Sequence, residues 1–165
     1  MPSKKNWDIT QFPLGVVWYE LIQKQDDPEV SYRLVPDKFD RVSALNILKQ
    51  QAQSINIEPP TQAFQKAFNQ IPLFMDVQLR VQVDGQAKFP IYLSYQDMTK
   101  AVEKASAAVA GYQSAVAVMD LTDLLDQMMR LESEIDFRNA VFVPPSLPTM
   151  EDDKAMPTTG DLWAD

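Results

Sequence analysis

Three acidic residues near the end of the chain have the spacing that chemistry could use. Asp120, Asp123 and Asp126 recur every third residue, which on a helix turns their carboxylates toward neighbouring positions. Such oxygen ligands could hold a hard cation such as calcium or magnesium. No glycine-bearing calcium loop accompanies them, and the simpler reading is a helix N-cap followed by first-turn acids on a solvated face. No metal site and no cofactor are expected. The chain contains no histidine and no cysteine, so it lacks the usual general base near neutral pH and any thiolate nucleophile or disulfide. There is no Gly-Xaa-Ser-Xaa-Gly elbow, and only four glycines are present to build a phosphate-cradling loop. These absences lead us to expect a protein that is not an enzyme and has no catalytic residues.

Other residues suggest binding rather than catalysis. Met75, Met98, Met119, Met128 and Met129 could line an adaptable apolar groove, since methionine is flexible and polarizable. Core filling is the competing role. It is favoured at Met119 and Met128 and left open at Met75, Met98 and Met129. Candidate polypeptide contacts are Val77, Leu79, Met98, Val102 and Met129. The alternating stretch Val77 to Val83 could also offer a strand edge to an extended client, or simply pack on the helix that follows it. Pro90, which cannot donate to a ladder, suggests an edge or a bulge. Trp163 and Asp161, in the tail, are candidates for docking to a partner.

The elements that must position these residues follow from periodicity. Val77, Leu79, Val81 and Val83 alternate with Gln78, Arg80 and Gln82, which predicts a strand with one wet face. Asp84-Gly85 then supplies a tight hairpin turn into a second strand, Phe89 to Leu93. Ser94 caps a helix with Asp97 in capping-box position, its face marked by Met98, Ala101, Val102, Ala105 and Val109, and Gly111 ends it. Upstream, Asp37 caps a helix with an apolar face of Phe39, Val42, Leu45 and Leu48. Glu58-Pro59-Pro60 breaks the chain before a short helix from Thr61 carrying Phe64, Ala67 and Phe68. Downstream come a buried strand, Ala115 to Met119, and a helix capped by Asp120 with a stripe of Leu121, Leu124, Leu125, Met128, Leu131 and Ile135. A last strand, Ala140 to Val143, closes at Pro144-Pro145.

Near the N-terminus, Asp8 to Phe12 and Val30 to Val35 are strand candidates, and VVWYELIQKQ fits either a strand or a helix. An internal repeat between Leu14–Pro36 and Leu121–Pro144 favours the helix. The predicted architecture is α+β, with helices packed on a sheet containing antiparallel strands and a partial internal repeat. It divides into residues 8–36, 37–145 and a disordered acidic tail, 146–165. The net charge of −8 lies entirely beyond Ala110, where three basic residues face eleven acidic ones. No basic stripe is available to neutralise phosphates, so nucleic acid is not an expected partner. No apolar run approaches the roughly 20 residues of a membrane helix.

YRLVPD before its helix, IPLF, FPIYLSYQDMTKAV, AVAVMDLTDLLDQM and VFVPP, in this order and spacing, resemble a known family. It is the family of the chloroplast inner-envelope translocon's twenty-two-kilodalton subunit, with its cyanobacterial relatives. The corresponding positions are Tyr32–Asp37, Ile71–Phe74, Pro90–Leu93 with Asp97 and Met98, Val116–Leu121 and Val141–Pro144. The resemblance covers residues 8 to 145 and implies an α+β fold of two related halves with apolar grooves along its faces. It implies a non-enzymatic, chaperone-like factor of protein import that holds unfolded or extended polypeptides. The alternative is a structural or assembly subunit of a larger complex, possibly photosynthetic, docked through the acidic tail.

The sequence departs from the family pattern by starting near the end of the first half and by adding the acidic tail. The expected consequence is that the apolar faces of Val77–Val83 and Met98–Val109 are partly uncovered. The resemblance implies the plastid intermembrane space or a cyanobacterial periplasmic or thylakoid location. MPSKKNWDIT shows no secretory signal, and by itself leads to the expectation of a soluble, cytoplasmic or stromal chain.

Overall fold

The computed structural model describes residues 14–16, 19, 33–60, 63–65, 70–130 and 139–146. The elements are α1 (Leu14–Val16), α2 (Lys38–Ser54), β1 (Pro72–Asp76), β2 (Val81–Val83), β3 (Gln86–Tyr92), α3 (Tyr95–Ala108), β4 (Val116–Asp120), α4 (Leu121–Met129) and β5 (Ala140–Val143). This is an α+β fold. The strands run in the order β2-β3-β1-β4, all antiparallel, and β5 joins β3 in parallel.

The sheet separates two apolar layers because side chains alternate along each strand. On one face Phe74, Leu79, Tyr92 and Met98 are buried with Ala44 and Phe64, under α2 and α3. On the other face Leu73, Met75 and Ile91 pack with Leu121 and Leu124 of α4. β1 is buried along its whole length and forms the centre of the molecule.

The helix starts follow the sequence. Asp37 Oδ1 accepts the N–H groups of Phe39 and Asp40, Ser94 Oγ that of Asp97, and Asp120 Oδ1 that of Thr122. Each cap satisfies backbone donors that the helix cannot pair internally. The hairpin at Asp84-Gly85 also forms. Both residues have positive φ, 51° and 76°, as a two-residue turn with the twist of its strands demands.

Four sequence expectations are corrected. Val77 to Val83 is not one strand: β1 ends at Asp76, and Val77-Gln78 is a turn. The Asp76 carboxylate accepts Gln78 N–H at 2.8 Å, and its carbonyl accepts Leu79 N–H at 3.0 Å. This side-chain-to-backbone pairing offers the chain a turn in place of the ladder. Arg80 braces the turn by donating to the carbonyls of Val77 and Leu79. Only Val81–Val83 remains as strand.

The face that α2 buries matches the predicted one only in part: Leu45 and Leu48 pack partly buried against the first layer as expected. Asp40, Ser43, Ala44 and Ala52 face inward, and Phe39 and Val42 stay 52% and 47% exposed. Small side chains let α2 approach β1, β4 and α3 closely, where a stripe of large residues would hold it away. Pro90 lies inside β3, paired to Val141, and not at an edge. In the antiparallel register its nitrogen points to the end of β1, where the ladder has thinned to the single pair Phe74–Tyr92, so no bond is lost there.

Finally, Arg33–Pro36, the described part of the predicted Val30–Val35 strand with the proline that closes it, is not in a strand, although Leu34 packs on the second layer; Asp8 to Phe12 lies outside the described residues. Of the predicted repeat, only α1 and Tyr19 fall among the described residues of its first copy before Arg33. The Thr61 helix is described only at Ala63–Gln65, where Ala63-Phe64 forms a turn. Among the described residues no helix is long and apolar enough to cross a membrane.

Candidate functional site

A cavity of about 390 Å³ opens beside β4. Its apolar wall comes from Leu48 of α2, Pro60, Ala63 and Phe64 of the following loop, and Val118 and Met119 of β4. Its polar wall is Asp120 with Asp123, Asp126, Gln127 and Arg130, all on or next to α4. The volume lies in the range of small ligand sites and accepts a few side chains.

Three local features build this wall. α4 carries Leu121 and Leu124 inward, so Asp123, Asp126 and Arg130, at offsets of three and seven, share its outer side. Phe64 takes a left-handed conformation, φ 53°, which drives its ring into the core layer beside Ala44 and Phe74. That backbone costs about 1–2 kcal/mol for a residue with a Cβ, comparable to the ~1.5–3 kcal/mol that burying the ring contributes. Asp120 both caps α4 and ends β4. Burial pushes its carboxyl upward, and the Thr122 N–H only partly opposes this. Its Oδ2 is buried with no hydrogen-bond partner.

Among the described residues no group of three or more acidic side chains is arranged to hold a metal ion. Asp120, Asp123 and Asp126 instead form a cap and a cavity rim. The remaining polar groups of note brace the fold. Asp76 is 1% exposed. Burial raises its pKa, but the donors Ser114 Oγ at 2.6 Å, Gln78 N–H and Ala115 N–H outweigh that and hold it below the ordinary carboxylate value. Tyr112 sits beside it, its phenol pushed up first by burial and then by the Asp76 charge.

The residues predicted from sequence as polypeptide contacts do not form one surface. Leu79 and Met98 are core residues, and Val102 packs partly buried against the same layer. Val77 is 48% exposed in the turn after β1, and Met129 is 71% exposed at the end of α4. The α3 face from Met98 to Ala105 packs against the first layer, with Met98 buried and Ala101, Val102 and Ala105 partly buried, so the face expected to be partly uncovered is open chiefly at Val109, which is mostly exposed. Of the methionines, Met75 is buried in the second layer and Met119 spans that layer and the cavity wall. Trp163 and Asp161 lie outside the described residues. Sequence reading missed Pro60, Ala63 and Val118 as cavity residues, and assigned Leu48 and Phe64 only to helix faces. The Pro59-Pro60 break signalled the loop, but nothing in the sequence signalled what the loop would close over.

The model of the Tic22-like family matches residues 12–154. The solved structures similar to the chain include two Tic22 proteins. Tic22 from Plasmodium falciparum is 19% identical with a TM-score of 0.53, over 79% of this chain and 57% of that one. Anabaena Tic22, described as a protein-transport protein, is 20% identical with a TM-score of 0.61, over 91% of this chain and 64% of that one. The chain thus spans less than two thirds of the length of either structure. No curated protein sequence matches it.

Proposed function

Because the chain belongs to the Tic22-like family, we propose that it is a polypeptide-binding factor of protein translocation, chaperone-like and without catalytic chemistry. Family membership supports the translocation context. The observation that carries the binding reading is the cavity beside β4, apolar on one wall and polar at its mouth. Burying client side chains there contributes about 25 cal/mol per Å² of apolar area, less the cost of ordering the client. A site that holds only a few side chains binds weakly enough to release, as a transfer factor requires.

The test uses the full chain with labelled unfolded peptides and an aggregating reporter. Saturable peptide binding and slower aggregation are expected. If the protein neither binds unfolded peptides nor slows aggregation, the reading is wrong.

A further inference from the structure

Among the described residues strand β4 ends the sheet order, and its neighbours fix the direction of the backbone polar groups along it. Val77 N–H donates to Ala115 O, and Leu121 N–H donates to Ile71 O. Odd-numbered positions from 115 to 121 therefore turn their backbone toward β1, and even-numbered ones turn outward. Outward from Val116, the carbonyl is taken by Gln51 Nε2 at 2.7 Å. Asp120 leads into α4. Val118 thus points its N–H and C=O outward on the cavity wall, with no described strand alongside. A strand edge with no partner among the described residues, beside an apolar hole, is the arrangement to which a strand from another chain can add. Across the hole, α4 places Asp123 and Asp126 against a single Arg130, so the rim is net negative.

We propose that an extended polypeptide segment adds to the outer edge of β4 as a further strand. It bonds to the backbone of Val118, seats a large apolar side chain in the cavity and sets a lysine or arginine against Asp123 and Asp126. This rests on the polypeptide-binding reading and gives it a mode and a client class: extended, apolar and basic. The chain's own residues 147–165 are a poor occupant by charge, with five acidic residues and one basic.

The experiment measures binding of ten-residue peptides to the full chain by fluorescence anisotropy. Each peptide has a central aromatic residue and a neighbouring lysine, glutamine or glutamate. The peptide backbone is also N-methylated one position at a time, which leaves the protein untouched. Strand addition predicts that methylation weakens binding at the one position whose N–H donates to the Val118 carbonyl, by about tenfold for a lost, well-formed hydrogen bond, and has a smaller effect elsewhere. The lysine peptide should bind about threefold tighter than the glutamine one, the range of a single exposed ion pair. D123N/D126N should remove that preference and its salt dependence, and R130Q should enlarge it. Ala63→Phe, checked for folding by circular dichroism, should block all the peptides by filling the cavity.

Binding that is indifferent to N-methylation, or unaffected by Ala63→Phe, overturns the proposal and leaves the polypeptide-binding reading standing. Equal affinity for lysine and glutamate peptides overturns the client class. A concentration-dependent dimer abolished by Ala63→Phe makes a second copy the occupant and overturns it too. No binding by any unfolded peptide ends both readings.

Discussion

At the residue scale, two buried carboxylates act in opposite directions on stability. Asp40, 8% exposed, accepts the N–H of Tyr95 at 2.8 Å and so joins the first turn of α2 to that of α3. Burial pushes its pKa from 3.8 to about 6; the Tyr95 N–H opposes this, and the charges of Asp37 and Asp97 add to it. A native pKa above the unfolded value means that the native state holds the extra proton between the two. Stability should therefore rise as pH falls from about 6 toward 3.8. Asp40→Asn keeps an acceptor for Tyr95 N–H and removes the buried charge. It should raise the urea midpoint at pH 8 and flatten the profile in that window. An unchanged profile in urea melts at several pH values would disprove this assignment.

Asp76 has a lowered pKa, so its contribution is present above about 3.8 and is lost as pH falls below it. Asp76→Ala abandons Ser114 Oγ and the N–H groups of Gln78 and Ala115. The expected loss is at least about 3 kcal/mol, from several hydrogen bonds to a charged group. Equilibrium denaturation at pH 7 measures it.

At the element scale, the β2–β3 hairpin depends on its two left-handed residues. Gly85 has φ 76° and open space where a Cβ would sit, so a substitution there meets backbone strain and no clash. Gly85→Ala should cost about 1–2 kcal/mol, and Gly85→Asn distinctly less, since asparagine tolerates this region. Thermal melts of the two variants separate conformational strain from packing. The three main helix starts and this turn were legible in the sequence, because caps and Asp-Gly turns are local chemistry. The Val77–Val83 strand was not. Its alternation was real, but the Asp76 side chain competes for the backbone at that point, and many aspartates near strand ends make no such turn. The buried face of α2 was legible only in part: Leu45 and Leu48 do pack on the core, but apolar residues are spread around this helix, and its small residues make the closest approach to the sheet while Phe39 and Val42 stay exposed.

At the scale of the whole molecule, stability is concentrated on β1, which touches both apolar layers. Phe74 is fully buried, packs at 5.4 Å between ring centroids with Tyr95, and lies in the layer under α2 and α3. Phe74→Ala should cost ~3–5 kcal/mol. A denaturant titration reporting less than about 1 kcal/mol, far below that range, would show that the two layers are not joined through this strand. The α+β class, the three main helix starts, the hairpin turn, the last strand and, through the ordered motifs, the family are legible in the residues alone. These rest on period, caps and turn residues, which act over a few positions along the chain.

Which of the candidate contact residues lie at the surface is a matter of tertiary packing. Leu79 and Met98 have the composition of contact residues but lie in the core, because sheet order and helix approach determine what is covered. Val118 reads as an ordinary buried valine. It becomes a candidate edge contact because β4 ends the sheet order and Gln51, distant in sequence, takes the neighbouring outward carbonyl. Edge or centre is a property of strand order, and strand order is set by packing between segments far apart in the chain.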